Sequence, residues 1–132
     1  SLMVRSEIGS PERLHTMATA KVLLAFMPLD RQSAVLQTMT YARLGPNAVT
    51  SEAQLRRQLA AVRRLGHVVC VEEAAVGVAA TAVPVRDHTG QVAAALGVSL
   101  PVVRLENWTQ TGLLECLKAT ATNIESCWCL AQ

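Results

Sequence analysis

Within seven residues the sequence sets an imidazole, a thiol and two carboxylates: His67, Cys70, Glu72 and Glu73. These side-chain types can build a Cys–His nucleophile or a metal site, but the spacing argues against both. The β-branched run from His67 to Val71 reads as a strand. On a strand, residues three apart point to opposite faces, so His67 and Cys70 cannot serve one site without a bulge. A thiol nucleophile also needs a base within hydrogen-bond reach and a third group to orient that base, and nothing nearby supplies one. Glu72 and Glu73 are expected to lie in solvent or to cap the short turn that follows. None of the four cysteines belongs to a C-x-x-C pair. The alternating Cys127-Trp128-Cys129 suits neither a zinc ribbon nor a thioredoxin-type centre. Buried free thiols are the expectation, together with no metal, no cofactor and no enzymatic activity.

A second cluster, Arg56, Arg57, Arg63 and Arg64, forms two pairs seven residues apart and therefore stacks on one helix flank. A phosphate-binding stripe is conceivable there. The stripe lacks interleaved aromatic residues, and the whole chain carries 12 basic against 10 acidic residues, so a solvated helix face is expected instead. There is no glycine-rich phosphate loop and no nucleophile elbow. Sequence-specific DNA binding is not expected of these 132 residues.

The elements that must position any site follow from periodicity. The chain is 51% hydrophobic, too apolar for a disordered segment. No uninterrupted apolar run approaches the roughly 20 residues that a membrane-spanning helix needs, and no basic leader precedes an apolar core at the start. Leu2 to Ile8 reads as a strand. Thr16 is expected to cap a helix ending near Phe26, and Asp30 to cap the next one, in which Ala34, Val35 and Met39 repeat. Ser51 with Gln54 resembles a capping box, Leu55, Leu59 and Val62 mark one helix face, and Gly66 sits where that helix should stop. Two strands, Val78–Val85 and Gln91–Ser99, flank the turn Asp87-His88-Thr89-Gly90. Pro84 cannot donate to a ladder, so an edge or a bulge is expected there. From about Trp108 to Leu130, the residues Leu113, Leu117, Ala121, Ile124 and Trp128 fall on one stripe. Helices flanking a β-meander make an α+β domain.

One face of the hairpin carries only small side chains. Period-2 alternation groups Ala93, Ala95, Gly97 and Ser99, and on the neighbouring strand Val78, Ala80 and Ala82. Protein interiors are close-packed, so that space must be filled. Either a helix approaches closely or a ligand sits on the sheet, since ligand sites are concave and mostly apolar with a few polar groups.

Three stretches carry a family resemblance. The first runs from Gly9-Ser10-Pro11 through Leu14-His15 to Ala18-Thr19-Ala20-Lys21 and Leu24-Ala25-Phe26. The second runs from Arg63-Arg64-Leu65-Gly66 to Glu72-Glu73 and Gly77-Val78. The third comprises Ala82 to Gly90, Ala93 to Pro101, and Arg104. In order and spacing they resemble the effector-binding domain of IclR-type bacterial transcription regulators, over about Val4 to the C-terminus.

The resemblance implies a GAF-like α+β fold with a mainly antiparallel sheet flanked by helices, and a cytoplasmic protein. It implies one effector-binding domain over residues 1–132, shortened at its N-terminus and without the winged helix-turn-helix that reads operator DNA. A small-molecule effector, a homo-oligomer (dimer or tetramer), and DNA contact only through that missing domain follow from it, with no membrane partner. The implied effector-binding positions are Val4, Ala18, Thr19, Cys70, Val78, Ala80, Gly97 and Ser99. Departures from the family pattern, namely Cys70 for an acidic residue, Gly97 for a serine, Ala20 for a glycine and Arg13 for a proline, imply a less polar pocket. The start of the helix expected after Thr16 suits a carboxylate, because its backbone N–H groups lack intrahelical partners. An organic anion with an apolar body is therefore expected, its charged end at Ala18 and Thr19. The alternative is a structural dimerisation domain whose pocket is filled.

Overall fold

Ser51 opens the longest element before the sheet, its hydroxyl accepting from the Gln54 N–H at 3.3 Å, and Gly66 closes that element in the left-handed region (φ 75°). Between them α3 (Glu52–Leu65) buries Leu55, Leu59 and Val62, as the periodicity requires. The capping box is displaced by one residue: Gln54 Oε1 accepts from the N–H of Thr50 rather than from that of Ser51. This computed structural model describes residues 11–105, 107 and 112–131. Among the described residues the other elements are α1 (Ala18–Phe26), α2 (Leu29–Thr38), β1 (Val68–Val71), β2 (Val78–Arg86), β3 (Val92–Pro101) and α4 (Leu113–Ala131), with 3-10 turns at Pro11–Thr16 and Val102–Arg104. The strand expected over Leu2–Ile8, with Val4, and the expected helix start at Trp108 lie outside the described residues. No helix among the described residues is long and apolar enough to cross a membrane.

The sheet is antiparallel in the order β1-β2-β3. Its two faces are covered by different helices. On one face Ala82, Cys70 and the half-buried Ala80 and Ala95 join Val22, Ala25, Leu55 and Leu59 of α1 and α3. On the other, Val83 and Val85 pack with Leu117 and Ala121 of α4, flanked by Leu96, Val98 and Trp128. The stripe read on α4 is thus the face it buries, although Ile124 stays 38% exposed.

Several local expectations are overturned. Thr16 does not cap α1, because its hydroxyl donates to the Arg13 carbonyl inside the preceding 3-10 turn, leaving Met17 at the cap position with no side-chain bond. Asp30 lies within the first turn of α2 rather than at its cap, which is Pro28, and there its charge complements the helix dipole. The buried apolar residue of α2 is Leu36, while Ala34 is exposed. Pro84 sits in the middle strand, paired with Ala95. Its missing N–H is tolerated because β1 begins opposite Ala82, so among the described residues only β3 flanks that part of β2; the irregularity falls one step later, between Val85 and Arg86. Of the cysteines expected to be buried, Cys116 and Cys127 are exposed free thiols and Cys70 is buried; the side chain of Cys129 lies outside the described residues.

Candidate functional site

The small-residue face expected from alternation forms as aligned rows. Cys70 pairs with Ala80 and Ala80 with Ser99, so three of the expected effector positions stand side by side across all three strands. The next row is Val68, Ala82 and Gly97, and beyond the end of β1 Val78 pairs with Pro101.

Helix α1 covers part of this face. A Cβ on Gly97 would lie 2.7 Å from Thr19 Cγ2 and 3.1 Å from the Thr81 carbonyl oxygen, so the absence of a side chain is what lets the helix come down. At the other end of α1 the Arg86 guanidinium stands 5.1 Å from the Phe26 ring centre, beside the Arg86–Val92 pair. The helix therefore runs along β2 and β3 from the Gly97 row towards the hairpin tip. Its first turn, with Thr19, lies at the Gly97 row. In the neighbouring rows Ser99 is exposed, Ala80 and Val78 are half-buried, and Cys70 is buried. The first backbone bond of α1 is Lys21 N–H to the Met17 carbonyl at 3.0 Å. With no side chain capping it, the N–H groups of Ala18 and Thr19 have no partner within the helix. Of the two packings weighed for the small residues, the close approach of a helix is present at Gly97.

Beneath α1 lies a polar cluster that sequence reasoning missed. Lys21, fully buried, donates to Gln58 Oε1 at 2.6 Å and pairs with the Glu73 carboxylate, itself only 7% exposed. Glu73 was expected in solvent; the turn after β1 carries it inward instead. Glu72 does cap that turn, its carboxylate accepting from the Gly77 N–H at 2.8 Å, and it takes φ 53° to do so. The loop before α3 holds the turn in place: Asn47 N–H donates to the Glu72 carbonyl at 3.1 Å and Asn47 Nδ2 to the Val71 carbonyl at 3.0 Å. Gly45 permits this approach, since any Cβ there would strike the Glu72 and Glu73 carbonyls. The signal that could have found the cluster is Lys21 itself, the one charge in the nine-residue helix ATAKVLLAF, because a lysine is almost never fully buried unless paired.

Cys70 lies against this pair. Burial pushes its thiol up to about 11, the Lys21 ammonium pulling it down and the Glu73 carboxylate adding to the rise. The thiol therefore stays protonated near neutral pH, the form that does not act as a nucleophile. No group of three or more metal-ligating side chains occurs among the described residues.

Among the described residues, two open clefts lie elsewhere. One of about 630 Å3 runs between Leu29 and Gln32 of α2 and Arg56, Leu59, Arg63 and Arg64 of α3. The other, of about 270 Å3, lies between the Asn47–Val49 loop and Gln54, Arg57 and Gln58. Neither is lined by an expected effector position. The arginine quartet is divided by structure: Arg56 is bound to Glu52 and to Ser33 Oγ, whereas Arg57, Arg63 and Arg64 are exposed.

The family profile described as "Bacterial transcriptional regulator IclR C-terminal" matches residues 1–126. A probable transcriptional regulator, ArcR of Halobacterium salinarum, is 34% identical over 115 residues, 87% of this chain and 44% of its own length. Among solved structures, the C-terminal domain of the Escherichia coli regulator KdgR superposes with a TM-score of 0.80 at 31% identity, over 88% of this chain and 71% of that one. A double mutant of the Acinetobacter PobR inducer-binding domain, in complex with 3-hydroxybenzoic acid, superposes with a TM-score of 0.79 at 30% identity, over 85% of this chain and 66% of that one. The chain spans about two-fifths of the length of the curated relatives it matches.

Proposed function

Because the chain belongs to the IclR C-terminal family of bacterial transcriptional regulators, we propose that it senses a small organic anion with an apolar body on behalf of a longer regulator. Operator DNA would be read by a separate N-terminal domain, and the assembly would be a homodimer or homotetramer. The observation that carries this reading is the start of α1, which has no side-chain cap and sets Thr19 against Gly97, one row from the exposed Ser99. Backbone N–H groups at Ala18 and Thr19, with the partial positive charge of the helix end, would take the carboxylate. Ser99 adds a hydroxyl. Val78, Ala80, Cys70 and Gly97 supply an apolar wall, with Val4 assigned to the same site by family resemblance. Lys21 cannot be the counter-charge, since Glu73 already neutralises it. An aromatic acid in the PobR inducer-binding domain supports the ligand class.

A thermal-shift screen of aliphatic and aromatic carboxylates tests the reading, because a ligand that prefers the folded chain raises the midpoint by mass action. The hit should lose its effect in Thr19→Glu, which sets a negative charge beside the anion, measured against that variant's own apo midpoint. A cationic hit, or undiminished binding by Thr19→Glu, would overturn it. The close fit of Thr19 over Gly97 favours a second reading, a dimerisation domain whose pocket is filled by its own helix; a screen without hits on a demonstrably oligomeric chain would decide for that.

A further inference from the structure

The cleft of about 270 Å3 beside α3 has an uneven supply of hydrogen-bonding groups. Gln54, Arg57 and Gln58 are spaced i, i+3 and i+4, so they share one helix face. Both glutamine oxygens are committed within the chain: Gln54 Oε1 accepts from the Thr50 N–H at 2.9 Å, and Gln58 Oε1 from the buried Lys21 ammonium at 2.6 Å. Their orientation is thereby set, and the two NH2 groups have no partner among the described residues. Arg57 is exposed and forms no ion pair among the described residues. On the opposite wall Asn47 has spent its NH2 on the Val71 carbonyl, leaving its amide oxygen as an acceptor. No acidic side chain lines the cleft. It therefore offers one cation and two amide donors on one wall and one acceptor on the other.

We propose that this cleft is a second small-molecule site, separate from the face below α1, which binds a small hydroxycarboxylate. The carboxylate bridges the Arg57 guanidinium and the Gln54 and Gln58 NH2 groups, where charge-assisted bonds are strongest. The hydroxyl donates to Asn47 Oδ1. Gln58 is shared, its oxygen on Lys21 and its nitrogen on the ligand, so the site lies one hydrogen bond from α1.

The test is a titration of the isotope-labelled 132-residue chain with sodium glycolate, and with glycolamide as its uncharged counterpart, followed by magnetic resonance. Glycolate should shift the side-chain signals of Gln54, Gln58 and Arg57 saturably, and glycolamide should not. Arg57→Gln, at an exposed and unpaired position, should weaken glycolate at least about tenfold, the loss of one charge-assisted contact. Gln58→Glu still presents an oxygen to Lys21 but puts a negative charge in the cleft. It should keep the fold and abolish the Gln54 shift. Equal response to glycolamide, an Arg57→Gln titration like that of the parent chain, or shifts confined to Thr19 and Ser99 would each overturn the proposal; the last would place glycolate on the α1 face and leave that reading standing.

Discussion

The ammonium of Lys21 and the carboxylate of Glu73, 52 positions apart in the chain, meet inside the fold and tie α1 to the turn between β1 and β2. Helix α1 carries Ala18 and Thr19, and β1 and β2 carry Cys70, Val78 and Ala80. The pair therefore fixes two parts of the proposed effector site relative to each other.

Removing one partner strands a buried charge, so Lys21→Met should destabilise the domain by about 3–5 kcal/mol. Lys21→Met with Glu73→Leu should cost clearly less than the two single changes added together. Urea unfolding of the three variants measures this. Additive costs would show that the two residues act separately.

Gly97 is required by Thr19. A methyl group at 97 would sit 2.7 Å from Thr19 Cγ2, and a β-branched side chain has little rotamer freedom to retreat. Gly97→Ala should therefore cost about 1–3 kcal/mol. Adding Thr19→Ser, which removes that methyl, should recover part of the loss. Thermal midpoints of the single and double variants decide it.

The Cys70 thiol gives a pH dependence of known sign. Burial raises it from 9.0 to about 11, so the folded chain holds a proton that the unfolded chain releases. Its contribution is full below about pH 9 and is lost as the pH rises through 11. The loss is about 2 to 3 kcal/mol. Denaturant titrations at pH 8 and pH 11 should differ by that much less in Cys70→Ala than in the parent chain.

The thiols should also react in a fixed order. Cys116 and Cys127 stand exposed on α4, so iodoacetamide should label both in the native chain at pH 8. Cys70, 3% exposed and protonated at that pH, should be labelled only after unfolding. Peptide mass mapping before and after denaturation reads this directly.

What the sequence determined by itself was whatever neighbouring residues settle among themselves. The ends of α3 were legible because Ser51 and Gly66 act within one turn of their own helix. The β2–β3 hairpin and its small-residue face were legible because alternation along a strand admits only two faces. Even the aligned positions Cys70, Ala80 and Ser99 were reachable once the family resemblance fixed the register. Tertiary structure decided what covers each face. Whether small residues on a strand receive a helix depends on where α1 lands, and Thr19 comes down on Gly97. Glu73 looked solvated because nothing within several residues of it is basic; its partner arrives from 52 positions away. Pro84 looked like an edge residue because the sequence does not reveal that β1 begins opposite Ala82 and does not reach it. In each case the missing information was a long-range contact, whose free energy depends on burial and pairing that no local pattern encodes.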